Sequence, residues 1–293
     1  MSNTTSYEKI TEQIITMLEG GTIPWRKPWN AGGSTPKSLS SGKNYRGMNQ
    51  MILGITAMLE DYDSNVWGTY AQIAKHGGQV AKGQKSTSVI LWKPFDAVDK
   101  DGKEVKRFFM TTFNVFNVSQ ADWTGEKPGH VEAVEHDAIA EAEAIANAYL
   151  ASGPTFSTGG DRAYYRPSTD AIKVPEMGYF KSAETYYSTL FHEMIHSTGH
   201  DSRLARDGVT EGHVFGDADY SREELVAEMG AAFLCAGAGI NPDETLTNSV
   251  AYVQNWLKVL KGDPKIVVEA AGKAQKACDH VLEAMAKEDE IAA

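Results

Sequence analysis

The sequence is poor in cysteine and has no long apolar run. Its 293 residues include two cysteines, Cys235 and Cys278, too few for a disulfide scaffold or for a zinc site built from cysteine alone. The longest apolar stretch, around Met229–Ala236, is too short to span a bilayer. The first residues, MSNTTSYEKITEQ, show no basic segment followed by an apolar one, so no secretory signal is visible. These absences predict a cytoplasmic protein with no membrane partner.

Charge is divided unevenly along the chain. Residues 1–130 hold 15 Lys and Arg against 12 Asp and Glu, a net charge of +3, whereas the remainder holds 13 against 27, a net charge of −14. An acidic surface repels nucleic acid, so contacts with a polyanion are expected in the first half. A polar segment with Pro and Gly, residues 124–137, separates the two halves. We therefore expect two domains, residues 1–128 and 137–293.

The residue patterns predict an α+β fold, with an α+β domain followed by a mainly helical one. In the first half, apolar spacing predicts helices over about 49–59 and 69–77, and β-type runs predict strands over 88–95 and 105–118. In the second half the predicted helices are 137–151, 182–198, 221–236 and two more within 249–285. Short strand candidates lie in residues 162–175.

Residues 192–196 read His-Glu-Met-Ile-His within a predicted helix. Residues i and i+4 lie on one helical face, so His192 and His196 can bind one cation through their imidazole nitrogens. Glu193, one residue further round, can accept a proton from a water that the metal activates. The pattern predicts a site for zinc, or for another divalent ion such as Mn²⁺, with Glu193 as the catalytic residue.

A catalytic zinc site needs a third protein ligand, and the sequence offers several. Glu228 is set among apolar residues of a later helix, where a carboxylate is costly to bury unless it is paired, and a metal would be that partner. Glu228 is therefore the predicted metal ligand. Glu224, one turn earlier, is a second candidate, although its position favours accepting a histidine N–H or facing solvent. Two histidines are also candidates: His200, if the chain turns back after the helix, and His213, in a polar loop.

Basic and aromatic residues are interleaved in several segments of the first half. Cations neutralise phosphates and exposed bases stack on aromatic rings, so this combination is typical of proteins that bind single-stranded nucleic acid. Aromatic residues in strands are also common in a core, so the prediction depends on their clustering together with the charge asymmetry. The predicted DNA-binding residues are Trp25, Arg26, Lys27, Trp29, Arg46, Lys82, Lys85, Trp92, Lys93 and Arg107.

The segment GGQVAKGQKST is close to a phosphate-binding loop but does not match one. Gln84 separates Gly83 from Lys85, which breaks the spacing GxxxxGK followed by Ser or Thr, and no buried strand is predicted before it. The sequence therefore argues against nucleotide hydrolysis.

Several long segments resemble the ArdC family of plasmid antirestriction proteins. In the first half they are TEQIITMLEGGTIPWRKPWN, SGKNYRGMN, GGQVAKGQKSTSVILWKPF and FNVFNVSQ, which are also similar to plasmid primases of the TraC type. In the second half they are FHEMIHSTGHDSRLAR, YSREELVAEMGAAFLCAGAGI and YVQNWLKVLKGDPKIVVEAAGKAQKA. The resemblance covers nearly the whole chain. We expect the likeness to the primases to stop at the first domain, which argues against a primase.

The resemblance implies an N-terminal domain that binds single-stranded DNA and a C-terminal zincin-like metallopeptidase domain. It implies His192 and His196 as metal ligands and Glu193 as the catalytic residue, and it favours Glu228. In such peptidases an extended substrate pairs with a sheet edge, which residues 163–174 could supply unless they are a plain structural hairpin.

The resemblance also implies a role in which the protein protects incoming plasmid DNA from host restriction during conjugation. Its implied partners are single-stranded DNA and a protein substrate, such as a component of a restriction system. The competing hypothesis is a non-catalytic protein that binds DNA or a restriction enzyme and in which the metal serves structure. A structural site is usually closed by four ligands, whereas Glu193 beside an open position favours hydrolysis.

Overall fold

The structure, a computed structural model, describes residues 6–20, 23, 35–60, 62–98, 104–128, 138–210, 218–240, 256–258 and 260–292. Its architecture is mixed α+β, as the sequence predicts. Contacts divide the chain into two compact units, of which the first holds Met1–Ser6 and Trp29–Ala133 and the second holds Tyr7–Pro28 and Val134–Ala293.

The first helix, α1 (Ser6–Glu19), belongs to the second unit from Tyr7 onward. Its buried apolar residues are Ile10, Ile14 and Leu18. The Thr11 hydroxyl donates a hydrogen bond of 2.5 Å to the carbonyl of Pro264, and the Lys261 ammonium lies 2.6 Å from the Glu19 carboxylate. The predicted domain over residues 1–128 includes α1, which in the structure bonds to residues near the far end of the chain, and the domain boundaries stay a prediction.

The described elements of the first unit are β1 (Lys37–Ser38), α2 (Met48–Leu59), β2 (Val66–Gly68), α3 (Tyr70–Lys75), β3 (Gly78–Val80), β4 (Thr87–Val98), β5 (Glu104–Asn117) and β6 (Ala121–Trp123). One sheet has the order β1-β2-β5-β4, and β3 pairs with β6. The pair β1 and β2 is parallel and the other pairs are antiparallel. The predicted α2, α3, β4 and β5 are present, whereas strands of two or three residues are too short to show a period.

The ends of α3 follow from local chemistry. Thr69 accepts a hydrogen bond from the backbone N–H of Gln72, and the Gln72 side chain accepts one from the N–H of Thr69, a capping box. Gly77 follows the helix with a φ of +86°, a conformation that favours glycine. A Cβ at Gly78 would lie 2.9 Å from the Trp123 ring, so the absence of a side chain lets β3 pair with β6. The first glycines of GGQVAKGQKST therefore serve a helix end and a strand pair.

The core of the first unit lies where α2 packs on the long hairpin of β4 and β5. Its fully buried residues are Leu53, Ala57, Trp67, Val89 and Val115. Asn49 of α2 fixes the hairpin, because its side-chain amide donates to the carbonyl of Ile90 and accepts from the N–H of Ile90, both at 2.7 Å. The core therefore covers the first part of the hairpin, and farther along β4 the side chains of Leu91 and Phe95 are exposed.

In the second unit α1 is followed by α4 (Ala138–Ser152), β7 (Thr155–Thr158), β8 (Tyr164–Arg166), β9 (Ala171–Val174), α5 (Ala183–Ser197), α6 (Asp207–Thr210), α7 (Ala218–Ala238) and α8 (Ile266–Ala292). The sheet order is β7-β9-β8, with β7 parallel and β8 antiparallel to β9. The predicted α4, α5, α7, β8 and β9 are present. The exposed β7, TFST, has no apolar alternation and is not predicted. In the described part of the chain, no helix has the length and apolarity that a membrane crossing requires.

Two helices of the second unit, α5 and α7, pack closely at a glycine. A Cβ placed on Gly230 of α7 would lie 2.8 Å from Cδ1 of Ile195, nearer than two carbon atoms pack. Ile195 is completely buried. On α8, the thiol of Cys278 lies 3.5 Å from the carbonyl of Gly230. The small residue therefore lets α7 approach α5, which carries the His-Glu-Met-Ile-His segment.

Replacing Ile14 by alanine should destabilise the second unit and leave the first intact. Ile14 is 2% exposed, and an isoleucine-to-alanine change in a core costs about 2–5 kcal/mol. Hydrogen–deuterium exchange should become faster in α5 and α8 and stay unchanged in β4 and β5. Glu12→Ala, at an exposed position of the same helix, is the control. Faster exchange confined to the β4–β5 hairpin would contradict the placement of α1.

Candidate metal centre and DNA-binding residues

The helix α5 presents two histidines from one face. Its buried residues on other faces include Tyr187, Leu190, Phe191, Met194 and Ile195, and this burial fixes the rotation of the helix. The Nε2 atoms of His192 and His196 lie 3.0 Å apart. Two nitrogens at that separation, each about 2.1 Å from one zinc ion, subtend an angle of about 90° at the metal. The pair can therefore bind a single ion.

The helix α7 adds a carboxylate, that of Glu224, to this pair. Its Oε2 lies 3.6 Å from Nε2 of His192, and its Oε1 lies 3.4 Å from Nε2 of His196. One donor atom from each of the three residues lies within 4.8 Å of the others. Among the described His, Cys, Asp and Glu residues, these three form the cluster whose donor atoms converge so closely. Two imidazoles and a carboxylate suit a divalent ion and leave a coordination position for substrate. The residues present thus fit a metal.

The predicted third ligand, Glu228, lies elsewhere in the site. Its Oε1 is 3.9 Å from Nδ1 of His192, the ring nitrogen that points away from the convergent Nε2. Glu228 is four residues beyond Glu224, about 6 Å along α7, so the two carboxylates meet different edges of one ring. The group of donors that converges in the structure therefore contains Glu224 and not Glu228. Apolar surroundings do not distinguish the two, because Glu224 is itself 8% exposed.

The histidine candidates for the third ligand do not join the cluster. The Nδ1 of His200 lies 2.8 Å from the hydroxyl of Ser202, and His200 is not one of the convergent donors. His213 lies outside the described residues. The predicted catalytic residue, Glu193, is buried on α5 directly after His192.

A buried ion pair supports His196, and sequence reasoning does not find it. The Oε1 of Glu223 lies 3.3 Å from Nδ1 of His196, and both oxygens of Glu223 accept hydrogen bonds from Arg206. Glu223 and Arg206 are 6% and 7% exposed. The doublet of Glu223 and Glu224 in SREELVAE is a signal that a second carboxylate shares the site. No sequence pattern indicates Arg206.

The buried charges of the cluster compensate one another. Burial lowers the pKa of the His196 imidazole, but the carboxylates of Glu223 and Glu224 outweigh it and raise this pKa to about 10. Burial raises the pKa of the Glu224 carboxyl, but hydrogen bonds from His192 and His196 outweigh it and hold the pKa below its usual value. Since a protonated imidazole cannot bind a metal, ions and protons compete for this site.

The structure places only some of the predicted DNA-binding residues. Trp25, Arg26, Lys27 and Trp29 lie outside the described residues. The exposed ones are Arg46, Lys82, Lys85 and Lys93. Trp92 and Arg107 are placed by their backbones, in β4 and β5. The Gln120 amide donates a hydrogen bond of 2.8 Å to the carbonyl of Lys85. This bond fixes the loop between β3 and β4, which carries Lys82 and Lys85.

The β4–β5 hairpin combines basic and aromatic positions. Its register pairs Lys93 with Phe109 and Phe95 with Arg107. Directly paired residues of antiparallel strands share one face, so basic and aromatic positions alternate across the two strands. The Phe95 side chain is 42% exposed. An exposed ring on a strand that also carries basic positions is typical of proteins that bind single-stranded nucleic acid.

Two family models match the chain. Residues 4–116 match the N-terminal domain of the anti-restriction factor ArdC, and residues 140–273 match a zincin-like metallopeptidase domain. The second match includes all three residues of the convergent cluster. The candidate metal centre therefore lies in a zincin-like metallopeptidase domain.

Relatives extend the likeness to the whole chain. The protein y4eC of Sinorhizobium fredii is 36% identical over 97% of this chain and 94% of its own length. The crystal structure of the antirestriction ArdC protein from plasmid R388, in its metal-free form, has a TM-score of 0.77 and 37% identity and covers 96% of this chain and 98% of that one. Its Mn(II)-bound structure also has a TM-score of 0.77. The chain belongs to the ArdC family of antirestriction proteins.

The DNA primase TraC of Escherichia coli also resembles this chain. The identity is 38% over 94% of this chain, so the likeness includes both units. The expectation that it stops at the first domain is therefore wrong. The chain covers 27% of that TraC and 20% of a second TraC, so most of each primase lies outside the similar region.

Glu224→Gln should weaken metal binding far more than Glu228→Gln. Both changes replace a carboxylate of α7 by an amide of equal size, but Glu224 is the one that approaches both Nε2 atoms. Loss of an outer partner of a ligand costs about 10–100-fold in metal affinity. We expect Glu224→Gln to exceed this range and Glu228→Gln to fall at or below its lower end, in calorimetric titrations with Mn²⁺ and Zn²⁺. A larger loss for Glu228→Gln would refute the assignment.

Proposed function

We propose that this ArdC-family protein binds single-stranded DNA through its first unit and hydrolyses peptide bonds at a divalent metal in its second. By these activities it protects incoming plasmid DNA from host restriction during conjugation, in the cytoplasm of the cell that the DNA enters. The observation that carries the proposal is the convergence of His192, His196 and Glu224 beside the buried Glu193. The Mn(II)-bound structure of ArdC from R388 supports a divalent ion, and zinc suits the same donors.

The residues of the site would have different roles in peptide hydrolysis. A bound divalent ion supplies Lewis-acid polarisation of a carbonyl and lowers the pKa of water. The Nε2 atoms of His192 and His196 and one oxygen of Glu224 would hold that ion. Glu193 would accept a proton from the attacking water and deliver it to the leaving amine. Because Glu193 is buried, little bulk water competes for this proton.

The strand β8 offers an edge to an extended substrate. It lies at one end of the order β7-β9-β8, and α5 packs against β8 and β9. A peptide that adds to β8 as a further strand would run beside the helix that carries both histidines. This placement supports residues 163–174 as the substrate edge.

The DNA-binding part of the proposal is supported by charge and exposure. The first unit holds 12 Lys and Arg against 10 Asp and Glu, a net charge of +2, in a chain whose total is −11. Exposed lysines stand on the β3–β4 loop and on β4, where Phe95 is also exposed. Together they offer phosphate neutralisation and a stacking surface.

Glu193→Gln should abolish peptide hydrolysis and retain metal. Loss of a general base lowers a rate by about 10²–10⁴-fold, whereas His192, His196 and Glu224 keep their donor atoms. Cleavage of casein by the Mn²⁺- or Zn²⁺-loaded protein, with and without single-stranded DNA, measures the rate, and calorimetry measures the metal. If the loaded wild-type protein leaves casein intact under every condition, the result favours a non-catalytic protein with a structural metal.

The double variant Lys82→Gln, Lys85→Gln should bind single-stranded DNA more weakly. Each lost phosphate contact reduces the slope of log affinity against log salt by about 0.7, so the pair should reduce it by about 1.4. Lys273→Gln, Lys276→Gln is a matched control, because both residues are exposed and equally spaced on α8 of the acidic unit. Fluorescence anisotropy with an oligothymidine gives the slopes. Plasmid survival in a restricting host should fall with the first pair, and an unchanged slope would argue against this loop.

A further inference from the structure

The segment that follows α5 folds back onto the end of that helix through a buried arginine. Arg206 donates from Nη1 to the hydroxyl of Thr198 at 2.6 Å and from Nη2 to the carbonyl of Ile195 at 2.7 Å. The last carbonyls of a helix have no donors within the helix, so such contacts complete its end. Arg206 therefore bonds to the turn of α5 that carries His196.

The same guanidinium group binds Glu223 of α7. Its Nε lies 3.0 Å from Oε2 and its Nη2 lies 2.5 Å from Oε1. That Oε1 is also 3.3 Å from Nδ1 of His196. A buried carboxylate needs such partners to offset the loss of water. A continuous chain of contacts therefore runs from Arg206 through Glu223 to the ring of His196, whose Nε2 faces Glu224.

The backbone around Arg206 is shaped to fit this arrangement. A Cβ on Gly199 would lie 2.5 Å from Cγ2 of Val209 and 3.0 Å from Cζ of Arg206, and a Cβ on Gly208 would lie 2.9 Å from Cβ of Glu223. Ala205 has a φ of +44°, in the left-handed region that non-glycine residues rarely adopt. Conformations of this kind persist where the surrounding contacts over-determine them. Both close approaches and the unusual turn thus converge on the Arg206–Glu223 pair.

We propose that Arg206 is a positioning residue of the metal centre. Its planar fork holds Glu223 so that the carboxylate accepts the Nδ1–H of His196, which leaves Nε2 as the nitrogen that binds the ion. The inference rests on the proposed metal centre and adds a residue that does not touch the metal or the substrate. A lysine supplies the charge but not the fork, and therefore cannot fully replace it.

Charge and position predict opposite effects when Arg206 is removed. A positive charge near a cation repels it, so its removal alone would strengthen metal binding. Loss of the hold on His196 would weaken metal binding, because outer partners orient the ligand. A fall in affinity is therefore opposite to the direct effect of the lost charge on the ion, and a fall in Arg206→Lys, which keeps the charge, identifies positioning.

The test is a titration of the whole metal-free chain with Mn²⁺. Arg206→Met should lower the affinity by about 10–100-fold, and Arg206→Lys should lower it by a smaller but measurable factor. Arg203→Met is the matched control. Arg203 also bonds to a carboxylate, Asp170, and to a carbonyl of α5, that of Ser197 at 2.8 Å, so it should keep the wild-type affinity.

Wild-type affinity in Arg206→Met would overturn the proposal, as would an equal loss in Arg203→Met. Should Arg206→Met fail to fold, Arg206→Lys decides alone: unchanged affinity refutes the need for the fork. Failure of the metal centre itself looks different, because the wild-type chain would then bind neither Mn²⁺ nor Zn²⁺. If the wild-type chain binds metal, His196→Ala loses it and the Arg206 variants keep wild-type affinity, only the role of Arg206 is refuted.

Discussion

The close packing of α5 on α7 sets the geometry of the whole second-unit site. With no side chain at Gly230, the helix axes approach until Ile195 fills the space that a Cβ would take. At this separation two adjacent residues of α7, Glu223 and Glu224, both reach histidines of α5. Glu223 meets Nδ1 of His196 and Glu224 meets both Nε2 atoms. A larger distance between α5 and α7 would move both carboxylates away from the imidazole rings, and the donor atoms would no longer converge.

The same packing explains how so many charged groups can be buried together. Each carboxylate faces a cationic or hydrogen-bonding partner: Glu223 faces Arg206 and His196, and Glu224 faces both histidines. Removing one member would leave a buried charge without compensation, which is far more costly than the pair is favourable. Some of the carboxylates that make the second half of the chain strongly negative, among them Glu223 and Glu224, therefore lie at the candidate metal centre. A negatively charged second half repels nucleic acid, which agrees with the proposal that the first unit binds DNA.

Local patterns predict local geometry well in this chain. The spacing of His192 and His196 fixes their common face without reference to any other helix, and the β-type runs over residues 88–95 and 105–118 predict the two long strands. The choice between Glu224 and Glu228 depends instead on which side of α7 meets α5. The residues from 223 to 235 are almost all buried, so no polar stripe marks an outer side and the sequence carries no signal for the rotation of that helix. Arg206 depends on a turn that only the folded chain defines.

The position of α1 shows a further limit of reading domains along a sequence. In chain order the first unit is bracketed by parts of the second, because α1 packs with residues that lie more than two hundred positions away. A fragment that begins after residue 136 would lack α1 and would expose the surface that Ile10, Ile14 and Leu18 cover. The likeness to y4eC, to ArdC from R388 and to part of TraC spans both units in each case. Since α1, at the start of the chain, belongs to the second unit, a cut between α1 and α4 would divide the hydrophobic core of that unit.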